Sequence, residues 1–311
     1  MKYINKMISG RLYLAGIVLA LFALSMTLSG CLAFANAPDF NGDQAFDCLK
    51  KQCDFGPRPE GYPSHEKTQD YLFGELSKYS NSVSLQKFTH EFEGKTYHAA
   101  NIIAHFGPTD KPSVMLCAHW DTRPFADQDS EPANRVKPIL GADDGASGVA
   151  VLVELAAMFH NKTPQVPVTI VLLDGEDFGK TEDQMYLGAR YFAAHMNKSD
   201  YKYGILLDMI GDKGVTIFKE KNSADADPNL VNRIWQTARD LGYGKSFRDE
   251  VKYRMGDDHV PMIEAGLPCV DLIDFDYVYW HTLQDTVDKC SPESLKIVGQ
   301  TVAEVVYSEK P

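Results

Sequence analysis

His281 sits in Tyr279-Trp280-His281-Thr282 near the C-terminus, and two acidic pairs, Asp143-Asp144 and Glu176-Asp177, lie far upstream of it. Each pair adjoins an apolar run that reads as buried. One imidazole and two carboxylates delivered from separate loops make a three-ligand zinc site with a fourth position open. That is the catalytic form of such a site rather than the closed structural one. Convergence of the three would make the chain a metal-dependent enzyme acting on a carbonyl.

The elements that must position such a set are legible. Apolar, β-branched runs predict strands over 114–118, 166–173, 205–209 and 267–273. His119 and Asp121 follow the first, Asp174, Glu176 and Asp177 the second; Asp208 ends the third, and Asp274, Asp276 and then His281 follow the fourth. In open α/β sheets ligands bind outside the carboxyl ends of the strands, so these strands would deliver their polar residues to one edge. Asp208 lies in an apolar run, and a buried carboxylate needs a partner.

Further strands are expected over 83–92 and 98–105, joined by a hairpin at Glu93-Gly94-Lys95, and over 215–219. Helices are expected over 45–53, 65–79, 148–159, 187–195, 228–241 and 292–307, the last capped by Ser291. Trp235 is expected in the core. Strands that are apolar throughout and alternate with helices predict an α/β fold. Its mixed, mostly parallel central sheet would carry helices on both faces, as one catalytic domain over 44–311.

The formal charge of -12 over 311 residues argues against nucleic acid and anionic membranes as partners. Lys2, Lys6 and Arg11 precede an apolar stretch ending in Leu28-Ser29-Gly30-Cys31, so residues 1–31 read as a signal peptide with a lipobox. Cleavage after Ala33-Phe34-Ala35 is the competing reading. Either makes the protein exported, as a periplasmic or outer-membrane lipoprotein if Cys31 is lipidated. Residues 32–43 read as a tether. Of the remaining cysteines, Cys48 and Cys53 are the best local pair, provided the helix ends between them. Cys117 and Cys269 read as buried thiols, and Cys290 makes the count odd.

Six motifs occur in order: His119-Trp120-Asp121, the Gly141-to-Gly148 turn, Asp174-Gly175-Glu176-Asp177, Leu207-Asp208-Met209-Ile210-Gly211, Asp257-Asp258-His259 and Trp280-His281-Thr282. Over roughly 53–307 the set resembles the M28-like zinc aminopeptidase superfamily. Within it, His-Trp-Asp-Thr-Arg-Pro, Leu-Leu-Asp-Met and Trp-His-Thr resemble the bacterial type II glutaminyl cyclases. The resemblance implies one zinc ion on Asp144, Asp177 and His281, with Glu176 as general base and acid. It also implies a carboxylate network of Asp208 and Asp257 with Glu176, and Trp280 as a pocket wall. The implied substrates are peptides or proteins with N-terminal glutamine, cyclised to pyroglutamate with release of ammonia.

Two other functions fit the same residues. His119, Asp144, Asp177, Asp208 and His281 match by type the five ligands of a two-zinc aminopeptidase. A scaffold lipoprotein could keep the fold without activity. Trp280, Trp120 and the Asp257-Asp258-His259 turn favour the cyclase. Three features depart from the animal cyclases: Gly256 stands where a polar side chain is usual, residues 178–185 hold no Trp, and Asp177 replaces a longer Glu. His259 reads as structural, the histidines outside the motifs carry no site signal, and Arg123 is expected to pair with an acid near the pocket.

Overall fold

The computed structural model of the protein describes residues 36–311. The expected leader and Cys31 lie outside the described residues. The elements are α1 (Gly42–Asp54), α2 (Pro63–Tyr79), β1 (Ser82–Phe92), β2 (Lys95–Phe106), β3 (Ser113–His119), α3 (Ala146–Asn161), β4 (Val168–Leu173), α4 (Leu187–His195), β5 (Tyr201–Asp208), β6 (Ile217–Glu220), α5 (Lys221–Ala226), α6 (Pro228–Asp240), β7 (Phe247–Tyr253), α7 (His259–Glu264), β8 (Cys269–Ile273) and α8 (Pro292–Tyr307).

The main sheet runs β1-β2-β4-β3-β5-β8. β1, β2 and β4 pair antiparallel, whereas β4-β3-β5-β8 pair parallel. The parallel strands are buried on both faces, with alternate residues serving two cores. Val114, Leu116 and Ala118 of β3 join Ile170, Leu172, Ile205 and Leu207 under α1, α3 and α8. Met115 and Cys117 join Val171, Leu206 and Cys269 under α4 and α7. The sheet is therefore mixed and mostly parallel, with helices on both faces.

Close packing fixes α3, which follows Asp144. A Cβ on Gly148 would lie 2.1 Å from the Leu207 carbonyl oxygen, so only glycine lets the helix start rest on β5. The β1–β2 hairpin turns on Glu93-Gly94, both at positive φ, in the expected place.

Three expectations change. Residues 36–41 are no tether: Asn36 and Ala37 donate to the Glu304 carboxylate, Phe40 N donates to Gln300, and the Phe40 ring is buried. The folded unit thus begins at Asn36 rather than at 44. Helix α1 runs unbroken through Cys48 and Cys53, and the five cysteines from Cys48 onward are free and buried. Strand β7, whose Arg248 to Lys252 are exposed, and the short helices α5 and α7 carry no apolar period strong enough to read. Ser291 caps α8 as expected, Trp235 is fully buried, and no helix among the described residues is long and apolar enough to cross a membrane.

Candidate metal centre and active site

The loops after β3, β4, β5 and β8 meet at one edge of the sheet, as the strand ends required. Ligand atoms of Asp144, Asp177 and His281 all lie within 4.8 Å of one another. His281 Nε2 is 3.3 Å from Asp177 Oδ2 and 3.6 Å from Asp144 Oδ2. Both of those carboxylate oxygens are buried without a hydrogen-bond partner. Burial, then the Asp177 carboxylate, push the Asp144 pKa upward. Burial would also lift Asp177, but His281 and Arg123 bring it down to about 2. Orphaned, mutually repelling carboxylate oxygens beside an imidazole are costly without a cation and suit one. The residues fit zinc.

The scaffold around the triad is specific. Asp121 accepts from Glu176 N and Asp177 N at 3.1 and 3.2 Å, fixing the turn that carries both. Asp285 accepts from Asp143 N and Asp144 N and from the Tyr277 hydroxyl. Asp143 points away from the triad and accepts from Gly211 N. Arg123 reaches Asp177 Oδ1 at 2.8 Å, so the expected pairing of Arg123 with a pocket acid holds.

His119 forms a second triad that shares Asp144. Its Nε2 is 3.2 Å from Asp144 Oδ1 and 3.2 Å from Asp208 Oδ1. A Cβ on Gly145 would fall 2.3 Å from that nitrogen, so glycine is required for the approach. Glu176 is buried beside His119, its Oε2 3.8 Å from His119 Nδ1. Burial first, then Asp177, raise the Glu176 pKa well above the usual carboxylate range. Asp257 is buried too, and burial, then Asp208 and Asp258, raise it likewise. The turn bearing Asp257 therefore folds back onto the site.

Trp280 lies flat on the His281 ring, centroids 3.9 Å apart, with Phe275 edge-on behind it at 5.1 Å. Trp120 does not line the site. It is fully buried, stacks on His65 and donates to the Ala100 carbonyl, so its place in the His-Trp-Asp motif is a packing one. His65 in turn contacts Asp174 at 2.8 Å.

Asp127, Asp285 and Tyr186 also belong to the site, and none was singled out from the sequence. Only Asp127 left a trace, four residues after Arg123. Asp257, His259 and Asp271 form a third buried cluster.

Residues 101–306 match the family model for peptidase family M28. Aminopeptidase YwaD of Bacillus subtilis is 26% identical over 208 residues, covering 62% of this chain and 40% of that protein, so the chain spans well under half of that relative. A solved glutaminyl cyclase of Bacteroides thetaiotaomicron is 37% identical, with a TM-score of 0.85 over 88% of this chain and 100% of that one. A solved Zn-dependent exopeptidase of Parabacteroides distasonis is 38% identical, with a TM-score of 0.85 over the same shares. With most of its length matched and the fold shared across nearly all the described residues, the chain belongs to peptidase family M28.

Proposed function

We propose that the protein is a glutaminyl-peptide cyclotransferase that converts N-terminal glutamine to pyroglutamate and releases ammonia. The observation that carries this reading is the Trp280 indole laid on His281, a bulky ring beside the triad that would wall a pocket suited to one small side chain. Asp144, Asp177 and His281 would hold a single zinc ion. When bound there, zinc supplies Lewis-acid polarisation of the side-chain amide oxygen.

The residues around it do the rest. Glu176 takes a proton from the α-amine as the new N–C bond forms. It returns that proton to the side-chain nitrogen as the old C–N bond breaks, so the nitrogen leaves as ammonia. A carboxylate suited to both halves of that cycle needs a pKa raised toward neutrality, and burial with acidic neighbours supplies the shift. Asp208 and Asp257 keep the shared proton in place.

The His119–Asp144–Asp208 triad favours a second reading, a two-zinc aminopeptidase. A paired assay separates them: ammonia release from a glutaminyl peptide, and cleavage of a leucine anilide, with the zinc content measured on the same sample. Ammonia with one zinc supports the cyclotransferase; anilide cleavage without ammonia overturns it. We also read residues 1–31 as an export leader with Cys31 as the lipidated residue. Loss of acyl labelling in Cys31→Ala is expected, and labelling unchanged by that substitution would refute it.

A further inference from the structure

Residue 256 carries no side chain, and residue 186 places a tyrosine in the left-handed backbone region at φ 58. We propose that the Tyr186 hydroxyl is a substrate-binding group. It donates a hydrogen bond to the backbone carbonyl oxygen of the substrate's N-terminal residue, from the space that Gly256 leaves open. The inference rests on the cyclotransferase reading and adds a specificity contact to it.

Tyr186 is locked in register with the proton-carrying glutamate. Its N–H bonds the Glu176 carbonyl at 2.8 Å, and Leu187 N bonds the Gly175 carbonyl at 3.0 Å. A bulky residue at positive φ is a backbone cost that persists only where its surroundings impose it, and such residues gather at functional sites. Met209 and His281, also at positive φ, stand at the same edge of the sheet.

The side chain is 7% exposed, and its hydroxyl lies 3.0 Å from the point where a Cβ of residue 256 would stand. Any side chain at 256 would crowd the hydroxyl, so the tyrosine and the glycine are a matched pair. Burial, then the Glu176, Asp257 and Asp258 carboxylates, hold the phenol protonated, and no described residue hydrogen-bonds it. The hydroxyl is thus a neutral donor against the turn that carries Asp257, within the influence of the Glu176, Asp257 and Asp258 carboxylates. On an N-terminal glutamine the amine goes to Glu176 and the side-chain oxygen to the ligand triad. The acceptor left on that residue is its backbone carbonyl.

The test is steady-state ammonia release by wild type, Tyr186→Phe, Gly256→Ala and the double variant. The substrates are a glutaminyl dipeptide amide and its analogue with the first peptide carbonyl reduced to methylene. Zinc content and melting temperature of each variant check that fold and metal are kept. Tyr186→Phe is expected to raise KM for the dipeptide about three- to tenfold with kcat within about threefold, the effect of one lost hydrogen bond. On the reduced analogue the same variant should match wild type. Gly256→Ala should raise KM in the wild-type background and less when Tyr186 is already Phe, because the two act on one contact. Equal KM for Tyr186→Phe and wild type on the dipeptide, or the same penalty on the reduced analogue, overturns the assignment. A wild-type protein that releases no ammonia at all refutes the cyclotransferase reading instead, and the wild-type control tells the two failures apart.

Discussion

Asp127 Oδ1 lies 3.2 Å from His281 Nδ1, on the opposite edge of the imidazole from Asp144 and Asp177. The same carboxylate takes Arg123 Nε at 3.0 Å and Nη2 at 2.8 Å, and Arg123 Nη1 reaches Asp177. Two candidate ligands from loops far apart in sequence, His281 and Asp177, are therefore tied together outside the proposed metal position. A partner on the second ring nitrogen fixes the tautomer and orientation of a ligating histidine. Asp127→Ala should weaken zinc binding by roughly 10- to 100-fold. Asp127→Asn, which keeps an acceptor oxygen, should lose less. Competition with a chromogenic zinc chelator reads both, and unchanged affinity in Asp127→Ala would mean that the contact contributes nothing.

In the proposed reaction Glu176 is the residue most narrowly tied to turnover, since its backbone is fixed by Asp121 and it is not among the three grouped candidate ligands. Glu176→Gln should retain zinc and lose on the order of a hundredfold to ten-thousandfold in kcat, the range for a positioned proton carrier. Metal analysis beside single-turnover ammonia release checks this. A variant that also loses its zinc would instead make Glu176 part of the metal site.

Much of this is legible in the sequence. The strand ends carrying His119, Asp177, Asp208 and His281 were readable because fully buried parallel strands leave unbroken apolar runs, and polar residues can only follow them. The hairpin at Glu93-Gly94 and the cap at Ser291 were readable because each depends on a local backbone requirement. Asp127, Asp285 and Tyr186 were not. Their roles come from partners up to 154 positions away, as between Asp127 and His281, and no local periodicity encodes such a contact. Residues 36–41 misled for a related reason: their polar composition reads as a linker, whereas the Glu304 and Gln300 side chains on α8 satisfy their backbone.

Glu220 shows how a residue outside the site can hold it. Its carboxylate accepts from Asn222 N, Ser223 N, Met255 N and His259 Nε2, so it ties the start of α5 to both ends of the turn carrying Asp257. Burial would raise its pKa, but His259 and the backbone donors bring it down to about 2. Removing the imidazole takes one donor from that buried carboxylate and leaves its backbone donors, and one lost hydrogen bond to a charged group costs about 1.5–3 kcal/mol. His259→Ala should therefore lower unfolding stability by about that much in urea and reduce kcat through a loosened Asp257. A stability within about 0.5 kcal/mol of wild type, the usual range for surface changes, would show that the pair is not needed.

Glu154 makes the opposite prediction about pH. It lies on α3, 8% exposed, and burial pushes its pKa from 4.5 to about 7, with only a backbone hydrogen bond from Asn41 in opposition. The folded state thus holds the proton more tightly than the unfolded state. Unfolding stability must fall as pH rises from about 4.5 to about 7, and the full penalty remains above that. Glu154→Gln removes the ionisable group and should stabilise the protein at pH 8 by on the order of 1–3 kcal/mol, with no gain at pH 4. Paired denaturant titrations at the two pH values measure it. An equal gain at both would trace the effect to packing rather than ionisation, and no gain at pH 8 would mean that water reaches the carboxylate in the folded state.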